Sequence, residues 1–149
     1  MHHLHHFFTV LSRGWQFFLY CVSFGQAPDP RALQRVLRRL SERPALSEGQ
    51  WQLRFWAPLG VRPEVSRFVY QTLGECSGLD IARVIPTDRL FVDLEFGRVC
   101  WGDWEFDYID AIVREFRKQL QVSELRLVYS VTVSDLVLNL NVLLSNDKR

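Results

Sequence analysis

The fold prediction starts from one segment, residues 102–116, which reads GDWEFDYIDAIVREF. Asp103 stands ahead of an apolar periodicity, where an aspartate side chain can accept hydrogen bonds from the first free N–H groups of a helix. Apolar residues then recur at helical spacing, and they predict an inner side made of Phe106, Ile109, Ile112, Val113, Phe116 and Leu120. We therefore expect a helix over 103–120 with one face on a core.

The charged residues of this segment share a second face. Asp103, Asp107, Asp110 and Arg114 are spaced i, i+4, i+7 and i+11, so they project from one side of the helix. Two interpretations stay open. Acids in the first turns of a helix interact favourably with its dipole, by roughly 0.3–1 kcal/mol each; the alternative is a surface that binds a partner.

Further helices are predicted on both sides of this segment. Pro63 begins one, with apolar residues at helical spacing as far as Cys76, and Ser77-Gly78 ends it. A long loop, residues 79–101, follows. Residues 132–135 read TVSD, a capping box in which Asp135 replaces the usual Glu, ahead of a last apolar helix. The alternating run 125–133 can form one short strand.

The order of these motifs resembles the acyl carrier proteins. The resemblance covers roughly residues 63–145: a helix, a loop with P-T-D-x-L-F-x-D-L over residues 86–94, an acidic helix, and a T-V-x-D-L helix start over residues 132–136. It is closer to a bacterial family of uncharacterised acyl-carrier-like proteins, which have Gly-Asp, as in Gly102-Asp103, where carriers have Asp-Ser-Leu. The resemblance implies a mainly α fold, with an acyl-carrier-like helical bundle over 61–149. The residue patterns add an N-terminal helical extension over 1–60, which is larger than in that family.

The resemblance also implies a missing attachment point. In carriers a serine hydroxyl at the start of the acidic helix holds phosphopantetheine, and the matching position here falls near Gly102. No serine lies between Ser77 and Ser123. Cys100 is no substitute, because the transferase reaction requires an alcohol at the helix start. We expect a protein without this cofactor.

In carriers the acidic helix docks basic patches of partner enzymes. Carried over, this implies a protein partner with a basic patch, and candidate docking residues Asp103, Glu105, Asp107, Asp110, Trp101 and Trp104. The two tryptophans are either exposed anchors of that interface or part of the core. The leading hypothesis is a non-enzymatic interaction module.

The N-terminal extension leaves alternatives open. Residues 7–24 are strongly apolar, but Arg13 and Gln16 interrupt them, and the uninterrupted apolar part is far short of the ~20 residues of a spanning helix. They fit a helix packed on the core, a helix lying on a membrane surface, or a start codon placed too far upstream. A membrane-associated accessory protein held by these residues is the alternative function.

Two further helices are predicted in the extension. Asp29 and Pro30 begin an Arg-rich helix, and Ser47 can cap a short helix that follows it.

Composition bears on the other function classes. Residues 1–60 hold seven Arg and three acids, whereas residues 61–120 hold eight basic residues and eleven acids, so the two regions can attract each other or serve different partners. No Gly-rich phosphate loop or Gly-x-Ser-x-Gly elbow is present, and the only histidines lie in the terminal run 2–6. We expect no catalytic residues, no metal site, no nucleic-acid partner, and a cytoplasmic or peripheral membrane location.

Overall fold

The computed structural model describes residues 27–121, 124 and 130–146. These residues form six α-helices and no strand, so the prediction of a mainly α fold is confirmed. The helices are α1 Pro30–Leu40, α2 Glu48–Trp51, α3 Pro63–Ser77, α4 Phe96–Val99, α5 Trp104–Phe116 and α6 Val133–Ser145. None of the helices in these ranges is long and apolar enough to cross a membrane. The apolar segment 7–24, the histidine run, Cys21 and most of the alternating run 125–133 lie outside the described residues.

Side-chain caps fix three of the helix starts. The Asp29 carboxylate accepts a hydrogen bond from the Arg31 N–H at 2.9 Å at the start of α1. Ser47 and Gln50 form a capping box ahead of α2. Thr132 and Asp135 form another ahead of α6, with N···O distances of 2.9 and 3.1 Å. The sequence predictions at these positions are confirmed, because capping depends on local residue order alone.

Helix α2 continues without a break through a π-helical turn, Gln52–Trp56, and a 3-10 turn, Ala57–Leu59. Helix α2 and the π-helical turn each end in a fully buried tryptophan, Trp51 and Trp56. Their rings pack edge to face, with the ring centroids 5.0 Å apart. The Trp51 indole N–H donates to the carbonyl oxygen of Val84 at 2.9 Å. Trp51 thus packs on Tyr70 of α3 and binds Val84, which lies in the residues after α3.

The segment between α3 and α5 is more ordered than the long loop expected from the sequence. It contains a 3-10 turn, Ile81–Arg83, and helix α4. The Arg43 guanidinium binds the Asp88 carboxylate through two hydrogen bonds of 2.6 and 2.9 Å. The Asp88 carbonyl accepts from the Val133 N–H at the start of α6. In the described end of the alternating run, residues 130–133, Thr132 forms one antiparallel bridge with Arg89.

One hydrophobic core joins elements from α1 to α6. Its fully buried members include Val36 of α1, Val65 of α3 and Leu136 of α6.

Part of the Arg-rich face of α1 forms contacts within the fold: the Arg35 guanidinium donates to the Glu95 carboxylate at 2.5 and 2.9 Å. The Arg39 guanidinium also donates to the Asp93 carbonyl. The basic front of the chain and its acidic middle thus attract each other, and the described part of the N-terminal extension shares a core with the rest.

Candidate functional site

Aromatic packing fixes the rotation of α5 about its axis. Trp104, Tyr108 and Ile112 are almost fully buried, at positions i, i+4 and i+8 of the helix. The Trp104 ring lies 5.2 Å from that of Phe96, and the Tyr108 ring lies 5.7 Å from that of Phe68. Because these rings touch α3 and α4, α5 presents one defined face to solvent.

The inner face expected from the sequence was assigned partly wrongly. Phe106 was expected inside but is 70% exposed, and Ile109 and Phe116 are only half-buried. The helix also ends at Phe116 instead of residue 120, and Arg117 follows in the left-handed conformation with φ 50°. The error arose because two apolar periodicities overlap in this segment, and the larger rings, Trp104 and Tyr108, took the core.

The candidate docking tryptophans have opposite environments. Trp101 is 49% exposed in the residues leading into α5. Trp104 is 3% exposed and packs on Phe91 and Phe96, so its role as an exposed anchor is wrong. A buried indole excludes water from the core but offers no surface to a partner.

The acidic candidates lie on the solvent side of α5. Asp103, Asp107 and Asp110 are exposed, and Glu105 is half-buried. Asp103 occupies the N-cap position, but its side chain makes no capping hydrogen bond, so that detail of the sequence prediction is wrong. We refer to Asp103, Asp107 and Asp110 as the acidic face of α5. Gly102 lies in the exposed turn directly before them.

These carboxylates differ from the acids that form ion pairs elsewhere in the described chain. Ion pairs engage Glu48, Asp88, Asp93 and Glu95 with arginines, at N···O distances of 2.5–3.0 Å. Arg35 lowers the pKa of Glu95, mainly through its side-chain hydrogen bonds. No ion pair or side-chain hydrogen bond within residues 27–121, 124 and 130–146 involves the acidic face of α5. Its negative charge is therefore directed at solvent.

A polar groove lies beside this surface, between α3 and α5. Its volume is about 190 Å³, and its lining includes the charged residues Glu64, Arg67, Glu75, Arg114 and Glu115. Phe106 does not line it. The groove and the acidic face of α5 are thus separate features of the surface.

Two thiols and a phenol come together beneath α5. A hydrogen bond with Cys76 and burial raise the pKa of the Cys100 thiol, and burial raises the pKa of Tyr108. Both groups therefore stay protonated at neutral pH. The described ranges contain no group of three or more His, Cys, Asp or Glu side chains placed to hold a metal ion.

Comparisons with protein-family models, curated proteins and solved structures found no match to this chain.

Proposed function

We propose that this chain is a non-enzymatic, acyl-carrier-like interaction module that docks a basic partner protein through the acidic face of α5. The observation that carries the proposal is the exposure of Asp103, Asp107 and Asp110 without an ion pair in the described fold. Elsewhere in the described residues, arginines pair with Glu48, Asp88, Asp93 and Glu95. A concentrated, unpaired charge steers an oppositely charged partner and sets its orientation.

Helix stabilisation alone does not account for this charge. The helix dipole favours acids only within the first turn, which fits Asp103 and Asp107. Asp110 lies in the middle of α5, beyond that range, and stands three residues from Asp107. Like charges at this spacing destabilise a helix by roughly 0.2–0.5 kcal/mol per pair. A cationic partner would relieve this repulsion.

Charge removal tests the docking surface. The variant carries Asp103→Asn, Asp107→Asn and Asp110→Asn, and the matched control carries Glu42→Gln, Glu75→Gln and Glu115→Gln, three exposed acids outside the acidic face that form no ion pair within the described residues. We expect recovery of the partner in a pull-down at low salt to fall at least tenfold with the first variant and to stay unchanged with the control. Equal recovery with both variants would contradict the proposal.

The carrier aspect has its own test. Gly102 precedes α5 where carriers have their serine, so no phosphodiester to a phosphopantetheine arm can form there. Incubation with coenzyme A and a phosphopantetheinyl transferase should leave the intact mass unchanged, while a true acyl carrier protein in the same reaction gains the arm. A gain of one arm on this chain would show that it is a working carrier.

A further inference from the structure

Phe106 lies beside the acidic face of α5, on the same exposed side of the helix. The buried stripe runs through Trp104 and Tyr108, and a residue two positions from each lies about 200° around the helix, on the opposite side. The side chain is 70% exposed for that reason. On a helix surface the neighbours of residue 106 are at i−3 and i+4, which are Asp103 and Asp110. An exposed aromatic ring therefore stands between two unpaired carboxylates.

Phe106 projects from α5 as a single exposed ring. The neighbouring groove between α3 and α5 is lined mainly by charged and polar side chains and does not include this ring. A single projecting ring does not form the apolar groove that a partner helix needs. The ring can instead enter a cleft on the partner, where large aromatic residues contribute most when fully desolvated.

The charges around Phe106 indicate which charges the partner's cleft carries, because charges across an interface are complementary. Carboxylates on both sides of Phe106 repel acidic proteins and anionic lipid headgroups alike, and they attract lysine and arginine. We infer that Phe106 is the apolar anchor of the docking surface, and that it inserts into an apolar cleft of a folded partner protein whose rim carries Lys or Arg at both ends. The inference rests on the proposed function, and it adds the shape and chemistry of the partner.

Leu53 provides a matched control for exposure alone. It is 71% exposed on the π-helical turn that continues α2. Its neighbours at i−3 and i+4, Gln50 and Ala57, are uncharged. A surface whose only property is exposed apolar area would behave alike at residues 53 and 106.

The experiment places a benzophenone-bearing phenylalanine analogue at position 106 or 53 of the full chain, in cells of the source organism. Ultraviolet light should join position 106, and not position 53, to one protein species, and the triple Asn variant should lose that adduct. The partner recovered from the adduct is then purified and titrated with unmodified protein. We expect Phe106→Ala to weaken its binding at least tenfold and Leu53→Ala to leave binding unchanged.

The outcomes separate the two proposals. If the triple Asn variant loses binding while Phe106→Ala binds like wild type, docking through charge stands and the anchor role of Phe106 is overturned. If neither change affects binding, both proposals fail. Adducts with a second copy of this chain, with lipid only, or equally at both positions also overturn the inference. Unchanged midpoints of thermal unfolding for the Phe106 and Leu53 variants show that the comparison concerns binding and not folding.

Discussion

Single residues of α5 show how burial separates side chains of similar chemistry. Trp104 and Phe106 are two positions apart, yet one is 3% and the other 70% exposed. The indole contacts Phe91, Phe96 and Tyr108, whereas the phenyl ring of Phe106 faces solvent. Both residues are aromatic, so hydrophobicity alone could not rank them; the larger ring fills the space between α4 and α5.

Tyr108 supports a prediction at this scale. Its hydroxyl is buried and finds no hydrogen-bond partner among the described residues, whereas the Tyr70 hydroxyl donates to the Leu46 carbonyl at 3.1 Å. We expect Tyr108→Phe to keep or raise the free energy of unfolding, by up to about 1 kcal/mol, because an unsatisfied buried group is removed. Tyr70→Phe should lower it by about 1 kcal/mol. Urea denaturation measures both, and a larger loss with Tyr108→Phe would show that its hydroxyl has a partner.

Among the helices, α5 and α6 begin in different ways. Both have a side chain suited to capping at the N-cap, but only Thr132 accepts the hydrogen bond, from the Asp135 N–H. Asp103 stands at the N-cap of α5, but its exposed side chain makes no capping hydrogen bond. The Asp103 backbone has φ −108° and ψ 14°, away from the extended conformation that places a capping side chain over the first turn.

A prediction follows for these two helix starts. Thr132→Ala should lower the free energy of unfolding by about 1 kcal/mol, because the capping box is lost. Asp103→Ala should lower it by about 0.5 kcal/mol or less, since only the favourable charge near the helix dipole disappears. Chemical denaturation of both variants gives the comparison. A larger loss with Asp103→Ala would mean that its carboxylate caps α5 in solution.

At the scale of the whole molecule, an ion pair with a buried carboxylate joins two segments that are distant in the chain. Arg43 lies just after α1 and binds Asp88. The carbonyl oxygen of Asp88 accepts a hydrogen bond from the N–H of Val133, the first residue of α6. The Asp88 side chain is 5% exposed and also accepts from the Ile85 N–H at 2.9 Å. Such a bidentate, largely desolvated pair is sensitive to the loss of either partner.

A double-mutant cycle measures this link. We expect Arg43→Met and Asp88→Asn to show a coupling energy of about 2 kcal/mol or more, because the loss of Arg43 leaves the Asp88 carboxylate buried without its counter-charge. The pair Arg67–Glu48, with side chains 58% and 35% exposed, is the control and should couple by less than about 1 kcal/mol. Equal coupling in the two cycles would show that burial adds nothing to the Arg43–Asp88 pair.

The predictable part of the fold was local. Pro63 and Gly78 marked the ends of α3, with Gly78 at φ 69° after its last turn, and Asp29, Ser47 and Thr132 marked the starts of three other helices. The sequence also placed Asp103, Asp107 and Asp110 on one side of one helix. It missed α4 and the 3-10 turn Ile81–Arg83, because four- and three-residue elements carry too little periodicity to be recognised.

The amino-acid sequence alone determined where most helices begin, that the chain is mainly helical, and that no serine stands ahead of the acidic helix. These properties depend on residues within one or two turns of each other. Only the tertiary structure decided which aromatic side chains are buried, because Trp104 is buried by packing on Phe96 of α4, a residue outside its own helix, while Phe106 stays exposed. The rotation of α5, and with it the composition of the proposed docking surface, is a property of the packed core.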